Sequence, residues 1–260
     1  MAQIRELTAN RMKVKIYENR TQMGDEAAYE VSKKIEELLT DQQFVNIIFA
    51  AAPSQNEFLS ALSKRKNVDW SKVNVFHMDE YVGLDEEAPQ RFGQFLKERL
   101  FGKVPVNKAY YINGNAENLD DECQRYSGLL QQYPTDIVCM GIGENTHIAF
   151  NDPHVADFND PRGVKVVALD EISRQQQVND GCFDSIDDVP TFAITLTVPA
   201  LLQADAIFCL VPGRNKASAI NYTINSEVNE SYPSTSLRNH RNAILYLDKD
   251  SAAKLEGVIF

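Results

Sequence analysis

The segment Ile137-Val138-Cys139-Met140-Gly141-Ile142-Gly143-Glu144-Asn145-Thr146-His147-Ile148-Ala149-Phe150-Asn151-Asp152-Pro153 passes directly from an apolar run into glycines and polar groups. An apolar run of this length that breaks at glycines predicts a buried strand followed by a loop. The loop carries a histidine, amides and carboxylates close together in sequence. Because chemistry in α/β proteins gathers at the carboxyl ends of strands, this loop is the first candidate for a functional site.

Strand patterns and helix patterns alternate along the rest of the chain. Strands are predicted at residues 13–17, 45–52, 73–78, 137–140, 164–169, 192–198, 206–211 and 243–247, and helices at 25–39, 94–100 and 120–130, with shorter helical patterns around 58–62 and from 217. Such alternation favours an α/β fold with a mainly parallel sheet and helices on both faces. The sequence shows no linker, repeat or low-complexity tract, so we predict a single domain over residues 1–260. The polar connection 170–188 is a candidate for a lid or a wall of the site.

Composition and charge argue against several classes of function. The chain has 260 residues, of which 43% are hydrophobic and 24% charged, and its formal net charge is -11. An acidic surface disfavours binding to nucleic acid, because phosphate backbones attract clustered lysines and arginines. No stretch approaches the roughly 20 apolar residues of a membrane span. We therefore expect neither a nucleic-acid partner nor a membrane partner.

The N-terminus and the cysteines favour a cytoplasmic location. The segment Met1-Ala2-Gln3-Ile4-Arg5-Glu6 has no apolar core of the kind that secretion signals carry. The 4 cysteines lack the spacing of metal ligands. Cys139 and Cys209 fall inside apolar runs, where a reduced thiol behaves as a small core residue. We expect reduced cysteines and a cytoplasmic protein.

Polar residues follow the ends of several predicted strands. They are Ser54, the pair Asp79 and Glu80, the group Asn145, His147 and Asp152, and the pair Arg214 and Lys216. In a parallel sheet these ends share one edge, so the groups are predicted to line one crevice. Taken singly, each also fits a plainer role as a helix cap, a turn acid, a loop support or a solvated cation.

The combination of these groups indicates proton-transfer chemistry. Asp79, His147, Asp152 and Lys216 supply two carboxylates, an imidazole and a cation. Moving a proton between neighbouring carbons needs a base beside the C–H bond and a second acid/base at the oxygen, and the cation suits a phosphorylated molecule. The chain has neither a P-loop nor a Gly-x-Ser-x-Gly elbow. A metal site at His147 and Asp152 stays open, although two ligands are weak support for it.

Two longer motifs give the chain a recognisable resemblance. The chain resembles the glucosamine-6-phosphate deaminase (isomerase) family in two places. The first is the segment Phe76-His77-Met78-Asp79-Glu80-Tyr81-Val82-Gly83-Leu84, and the second is Gly141-Ile142-Gly143 together with His147-Ile148-Ala149-Phe150-Asn151-Asp152-Pro153. The Val189-Pro190 element and the turn from Gly213 to Lys216 are also similar to that family. The resemblance covers most of the chain and implies a Rossmann-like fold. It implies conversion of an amino-sugar 6-phosphate into a ketose 6-phosphate with release of ammonia, and no cofactor or metal.

The resemblance also implies roles for the catalytic candidates. Asp79 corresponds to the base that moves a proton between C2 and C1 of the open-chain sugar, and His147 to the group that assists ring opening. Asp152 falls where the family usually has a glutamate that partners this histidine. Asn145 departs from the family, which usually has an aspartate there, and an amide cannot stabilise an imidazolium by charge.

The implied substrate-binding and phosphate-binding residues are Ser54, Glu80, Lys216, Arg174 and Arg214. Lys216 falls on a phosphate-binding lysine of the family, and Ser54 lies near its phosphate loop. That loop is altered here to Ala51-Ala52-Pro53-Ser54, in which Pro53 removes an N–H donor. Arg174 and Arg214 are alternative candidates for the phosphate-binding arginine.

Three hypotheses follow from the sequence. The first is an amino-sugar phosphate deaminase acting on glucosamine 6-phosphate or a close relative. The second is a sugar-lactone hydrolase like the 6-phosphogluconolactonases, which would tolerate Asn145 better but leaves the motif around Asp79 without a role. The third is a sugar-phosphate sensor that binds without turnover. In each case the partner is a small sugar phosphate, and a homo-oligomer is compatible with the sequence.

Overall fold

The computed structural model of the chain describes residues 5–255. Met1 to Ile4, part of the segment inspected for a secretion signal, lie outside the described residues. The strands are β1 (Arg5–Ala9), β2 (Met12–Tyr17), β3 (Val45–Phe49), β4 (Val73–His77), β5 (Asp79–Tyr81), β6 (Lys108–Tyr110), β7 (Ile137–Met140), β8 (Val164–Ala168), β9 (Phe192–Leu196), β10 (Ala206–Val211) and β11 (Ala243–Asp248).

The helices connect these strands along the chain. They are α1 (Arg20–Asp41), α2 (Asn56–Leu62), α3 (Phe92–Leu96), α4 (Leu119–Gln132), α5 (Glu171–Asn179), α6 (Val198–Leu202) and α7 (Ala217–Asn225). Helix α3 continues into a π-helical turn at Lys97–Phe101, and short 3-10 turns lie at Pro53–Gln55, Trp70–Lys72, Ile186–Asp188, Arg214–Lys216 and Pro233–Asn239. Within residues 5–255 no helix is both long and apolar enough to cross a lipid bilayer.

The main sheet has eight strands in the order β1-β2-β11-β10-β7-β3-β4-β6. Every neighbouring pair is parallel except β1 with β2. From β3 the chain builds outward through β4 to β6, and it then returns to add β7 on the other side of β3. This reversal between β3 and β7 opens a crevice at their carboxyl ends, where ligands of doubly wound sheets bind. The predicted Rossmann-like fold with a mainly parallel sheet is confirmed.

Side chains that alternate along the central strands build a core on each face of the sheet. In β10, Ala206, Phe208 and Leu210 pack in one cluster, which includes buried residues of α1 and α2. The residues between them pack in the other cluster, which includes Tyr126 of α4 and Ile220 of α7. Both faces of the sheet are therefore covered by helices, as the continuous apolar runs of the strands predict.

Two predicted strands lie outside the main sheet. β8 and β9 pair antiparallel with each other, and β9 pairs antiparallel with β5. The sequence predicts their extended conformation but not this arrangement, because the direction of pairing depends on where the chain reverses between 168 and 192. The small sheet places Thr195 of β9 opposite Asp79, beside the end of β4.

Helix boundaries shift modestly from the sequence prediction. α1 begins earlier than predicted because the side chain of Asn19 accepts a hydrogen bond from the N–H of Gln22. α4 is capped in the same way by Asn118. The four cysteines are free thiols, and Cys123, Cys139 and Cys209 are buried.

Candidate active site

A cavity opens at the carboxyl ends of β3, β4, β7 and β10. Four of the site residues predicted from the sequence line this cavity, and each of the four strands is followed by a segment that supplies one of them. They are Ser54, Asp79, His147 and Lys216. Three glutamines complete its polar lining, namely Gln55, Gln176 and Gln177. The topology thus brings together the strand ends that the sequence placed on one edge.

Asp79 lines this cavity from the first position of β5, two residues after the end of β4. The side chain is only 7% exposed. Burial and, secondarily, the charge of Glu80 raise the pKa of Asp79 well above its ordinary value. In the part of the chain that the structure describes, no donor hydrogen-bonds its carboxyl group. A buried carboxyl without partners is open to a group that enters the cavity.

The backbone at Asp79 is fixed by the buried His77. Nδ1 of His77 lies 2.8 Å from the carbonyl oxygen of Asp79. Nε2 accepts a hydrogen bond of 3.0 Å from the N–H of Ile112, so Nδ1 carries the proton. Burial lowers the pKa of His77 to about 4, partly offset by its bond to the Asp79 carbonyl, which leaves the ring neutral at physiological pH. His77 is therefore a support for Asp79.

Glu80 points away from the cavity. Its carboxylate accepts hydrogen bonds of 3.0 Å each from the N–H groups of Tyr81, Phe92 and Gly93. Consecutive residues of a strand face opposite sides, so Asp79 and Glu80 cannot both face the same cavity. Burial raises the pKa of Glu80, against the lowering effect of these backbone hydrogen bonds. Its carboxylate anchors the first turn of α3, from which Phe92 lines the cavity.

The imidazole of His147 has one nitrogen surrounded by oxygen atoms. Nδ1 lies 2.7 Å from Oδ1 of Asn145, 2.9 Å from Oγ of Ser173 and 3.1 Å from Oδ1 of Asp152. Ser173 donates its own proton to Asp152 over 2.5 Å, so its oxygen accepts from the ring. In residues 5–255 Nε2 has no such contact. Nδ1 is thus the protonated nitrogen, and Nε2 is free to exchange protons with a ligand.

Asp152 is the buried charge behind this histidine. Burial alone would raise the pKa of its carboxyl group, but hydrogen bonding to His147, the charge of that ring and hydrogen bonds from Asn145 and Ser173 outweigh burial. The net effect lowers the pKa of Asp152 to about 2. Asp152 is therefore ionised throughout the physiological range, although it does not itself line the cavity.

The loop that carries His147 has an unusual backbone. Thr146 and Ala149 adopt left-handed conformations, with φ of 73° and 48°. The N–H of Gly143 donates to the carbonyl of His147 over 2.9 Å, which closes the loop on itself. Left-handed conformations are costly for residues other than glycine and cluster at functional sites. This backbone turns the His147 ring toward the cavity.

Lys216 supplies positive charge to the cavity. It is 4% exposed and precedes α7, after a turn at Gly213 with φ of 98°. Burial lowers the pKa of Lys216, and the charges of Asp180 and Glu144 counteract that effect. No hydrogen bond or ion pair engages its ammonium group within the described residues, and no other lysine or arginine from that part of the chain lines the cavity.

Ser54 and Gln55 form part of the cavity wall. The hydroxyl of Ser54 accepts a hydrogen bond of 3.1 Å from Nε2 of Gln55, which also donates to the carbonyl of Leu210 over 3.2 Å. Ser54 does not cap α2, so the plainer helix-cap interpretation of this residue is wrong. Oε1 of Gln55 is buried and has no hydrogen-bond partner. An unused acceptor therefore lies beside the Ser54 hydroxyl.

Neither candidate arginine lines the cavity. The guanidinium group of Arg174 donates to the carbonyl of Ile186 over 2.6 Å and to that of Val189 over 3.0 Å. It therefore ties α5 to the connection that leads into β9. Arg214 is exposed at the start of the 3-10 turn before α7. Lys216 and Arg214 thus belong to one turn but differ in accessibility.

Sequence reasoning missed Asp170, Ser173, Gln176 and Gln177, which come from the start and the inner face of α5. The connection 170–188 was predicted only as a possible wall or lid. An aspartate directly before a helical segment is an N-cap signature, and Asp170 indeed accepts from the N–H of Ser173 over 2.6 Å. That signature locates the start of a helix. It does not reveal that the helix packs against His147.

A group of possible metal ligands lies behind the cavity. One atom each of Asp152, His154 and Asp170 lie within 4.8 Å of one another. The Asp170 oxygens accept hydrogen bonds from Asn145 and Ser173, and Nε2 of His154 lies 3.1 Å from the carbonyl of Ala168. A metal ion there would replace existing hydrogen bonds, and no step proposed below uses one.

Comparisons with known proteins agree with this geometry. The family model for glucosamine-6-phosphate isomerases/6-phosphogluconolactonase matches residues 18–246. Among curated proteins, the glucosamine-6-phosphate deaminase of Bacillus cereus (strain G9842) is 34% identical over 219 residues, covering 84% of this chain and 81% of that protein. The deaminase of Bacillus thuringiensis (strain Al Hakam) is 34% identical over 226 residues, with 87% and 83% covered.

Solved structures give the same result. A monomeric glucosamine-6-phosphate deaminase superposes with a TM-score of 0.85 at 27% identity, covering 93% of this chain and 99% of that one. A 6-phosphogluconolactonase from Thermotoga maritima shares the fold, with a TM-score of 0.73 at 18% identity and coverage of 91% and 99%. The chain belongs to the family of glucosamine-6-phosphate isomerases and 6-phosphogluconolactonases.

Proposed function

We propose that this protein is an amino-sugar phosphate deaminase that converts glucosamine 6-phosphate, or a close relative, into a ketose 6-phosphate and ammonia. The observation that carries the proposal is the meeting of Asp79 and His147 in one cavity. The reaction needs two acid/base groups, one at the ring oxygen and one at the carbon chain. Similarity to proteins named glucosamine-6-phosphate deaminase supports the same activity.

In the first step His147 opens the sugar ring. Nε2, the nitrogen without a protein partner, takes the proton of the C1 hydroxyl and returns a proton to the ring oxygen as the bond between C1 and that oxygen breaks. The product is the open-chain aldehyde. Asn145, Ser173 and Asp152 hold the other nitrogen protonated, so the ring presents the correct tautomer.

In the second step Asp79 moves a proton along the carbon chain. Its carboxylate removes the proton from C2 while the aldehyde oxygen at C1 takes a proton released by the substrate's ammonium group, which gives a neutral enol-amine. The carboxyl group of Asp79 then delivers its proton to C1. The resulting imine at C2 reacts with water to give the ketone and ammonia. Burial raises the pKa of Asp79, which makes the carboxylate a stronger base than an exposed aspartate.

Lys216 and Ser54 bind the phosphate end of the substrate in this proposal. An ammonium group without a protein partner attracts a dianion, and the Ser54 hydroxyl can donate to a phosphate oxygen. Arg174 is a weaker candidate because carbonyl groups already engage its guanidinium. Arg214 is accessible and adjoins the same turn. Glu80 supports the site by holding α3 rather than by touching the substrate.

A sugar-lactone hydrolase is the second candidate. Its support is the fold shared with 6-phosphogluconolactonases, which at 18% identity concerns the fold alone. Lactone hydrolysis needs no base at Asp79, whereas the deaminase cannot work without one. The buried, unpartnered carboxyl of Asp79 therefore favours the deaminase.

The test is an assay of the purified protein with glucosamine 6-phosphate, measuring ammonia and ketose phosphate, beside an assay for 6-phosphogluconolactone hydrolysis. We expect equimolar ammonia and ketose, and loss of both in Asp79→Asn. Asp121→Asn, the same chemical change on an exposed residue of α4, is the matched control. Lactone hydrolysis without ammonia release would overturn the proposal.

We also propose that the protein is cytoplasmic, because its free cysteines suit a reducing compartment.

A further inference from the structure

A second carboxylate stands behind Asn145. Nδ2 of Asn145 donates to Oδ1 of Asp152 over 3.0 Å and to Oδ2 of Asp170 over 2.9 Å. Oδ1 of Asn145 accepts from the backbone N–H of His147 over 3.1 Å and lies 2.7 Å from its Nδ1. Every hydrogen-bonding group of the amide is therefore used. The amide connects the histidine on one side to two carboxylates on the other.

This arrangement leaves one orientation for the amide. Carboxylates cannot donate hydrogen bonds, so the NH2 group must face Asp152 and Asp170 and the oxygen must face His147. The oxygen in turn requires a proton on Nδ1 of His147. Asp170 thus acts on the imidazole through the amide, without touching the cavity.

We propose that Asp170 is a positioning residue for His147: through the Asn145 amide it supplies a second negative charge, beside that of Asp152, which orients the imidazole and keeps its Nδ1 protonated. The proposal deepens the deaminase function and rests on it for its kinetic test. Chains of hydrogen bonds that end in a charge polarise one another, which strengthens the contact at the far end. The Asp170 charge is one hydrogen bond further from the ring than a carboxylate at position 145 would be, and it adds to the charge of Asp152, which lies 3.1 Å from Nδ1.

Asp170 also belongs to α5, which forms a wall of the cavity. Its Oδ1 caps the helix at the N–H of Ser173, and the Ser173 hydroxyl contacts both His147 and Asp152. Gln176 and Gln177 of the same helix line the cavity. One side chain therefore connects the position of the helix to the orientation of the catalytic imidazole.

A capping role alone would give a different result on mutation. Asparagine caps helices about as well as aspartate, so Asp170→Asn keeps the cap on Ser173, while it removes the charge and the second oxygen, which accepts from Asn145. If Asp170 were only a cap, this variant would behave as the wild type. If Asp170 positions His147, kcat falls by about tenfold or more, the loss expected for a charge-assisted hydrogen bond, while KM changes little.

The charge at position 145 gives a sharper test. Asn145→Asp places a third carboxylate beside Asp152 and Asp170 and removes the donor that both require, so the variant should lose activity. Combining it with Asp170→Asn exchanges the two side chains, so the cluster again holds two carboxylates and one amide, and the carboxylate at position 145 lies directly beside His147. We expect the double variant to exceed both single variants in kcat. Such non-additivity is the signature of direct coupling.

The experiment measures kcat and KM with glucosamine 6-phosphate for the wild type, Asp170→Asn, Asn145→Asp and the double variant, with Asp121→Asn as control. In parallel, nitrogen NMR of the His147 ring, assigned with His147→Gln, reports which nitrogen is protonated whether or not the protein turns over this substrate. We expect the Nδ1–H form in the wild type and a loss of its dominance in Asp170→Asn.

Wild-type kcat and an unchanged ring spectrum in Asp170→Asn would overturn the proposal, as would a double variant that shows only the product of the two single effects. If the wild type releases no ammonia, the proposed function fails, and the NMR comparison alone then decides whether Asp170 positions His147.

Discussion

Gly143 lies directly against the ring of His147. A Cβ atom at position 143 would come within 2.1 Å of Cε1 and 2.3 Å of both ring nitrogens. Heavy atoms cannot approach so closely, so only glycine permits the imidazole to lie where Asn145, Ser173 and Asp152 hold it. Gly143, which lies in the loop after β7, is thus a steric requirement for the position of the His147 ring.

Gly143→Ala should therefore displace His147 without unfolding the protein. We expect kcat to fall by about 100-fold, since a displacement of about 1 Å in a catalytic group costs that much. Gly128→Ala in α4 is the matched control, because nothing lies within 4 Å of the added carbon. That control should leave kcat unchanged and stabilise the helix by about 0.5–1 kcal/mol. Wild-type kcat in Gly143→Ala would contradict the assigned position of the ring.

Asp79→Asn should abolish ammonia release and stabilise the fold at neutral pH. The pKa of Asp79 is raised by burial, so the folded state holds its proton more tightly than the unfolded chain does. The wild-type fold therefore becomes less stable as the pH rises above the pKa of Asp79 in the unfolded chain, which is about 3.9. The asparagine variant does not lose this stability, because its side chain cannot ionise.

We expect Tm of Asp79→Asn to exceed that of the wild type by about 2–4 °C at pH 7, roughly what 1 kcal/mol produces in a chain of this size. The difference should shrink toward pH 4. Thermal unfolding at a series of pH values measures it, with Asp121→Asn as the control that should show no such trend. A Tm difference that grows toward low pH would have the wrong sign.

The sequence predicts the fold and the place of the site because both follow from local patterns. Apolar runs that end in polar residues mark strands and their carboxyl ends, and the parallel sheet then gathers Ser54, Asp79, His147 and Lys216 in one cavity. Strand alternation would also have separated Asp79 from Glu80, which point to opposite sides. That inference was within reach of the sequence.

The contacts of α5 could not be predicted from the sequence. Asp170 lies 25 residues from Asn145 along the chain and meets it only because α5 packs against the loop after β7. No local pattern encodes such docking. The same holds for β5, β8 and β9, whose extended conformation is local but whose antiparallel pairing is set by tertiary structure.

Lys216→Met should weaken substrate binding rather than folding. The substitution keeps most of the side-chain volume and removes a buried ammonium group that has no protein partner in the described part of the chain. Charge-assisted hydrogen bonds contribute about 1.5–3 kcal/mol, so we expect KM for glucosamine 6-phosphate to rise by about 10-fold to 100-fold. Tm should stay the same or rise, because a buried charge is costly.

Arg174→Met is the matched comparison for Lys216→Met. Arg174 holds the carbonyls of Ile186 and Val189, so its loss should lower Tm by several degrees, with a smaller rise in KM than in Lys216→Met. Steady-state kinetics and thermal unfolding of the two variants together separate the roles. A large rise in KM for Arg174→Met with unchanged Tm would instead assign the phosphate to the arginine.

Asp152→Asn should remove a stabilisation that depends on pH. The pKa of Asp152 is lowered to about 2, chiefly because contacts with His147 outweigh the effect of burial. A lowered carboxyl pKa stabilises the fold above the unfolded value of about 3.9 and ceases to do so as pH falls toward 2.

Urea unfolding of the wild type and Asp152→Asn at pH 7, 5, 4 and 3 measures this contribution. The interaction with His147 and the hydrogen bonds from Asn145 and Ser173 all favour the ionised carboxylate, so the substitution costs less stability as Asp152 becomes protonated. We therefore expect the difference in unfolding free energy to shrink as pH falls from 4 to 3, while Asp121→Asn shows a constant, small difference. A difference for Asp152→Asn that is equal at pH 7 and pH 3 would mean that ionisation of Asp152 does not stabilise this part of the site.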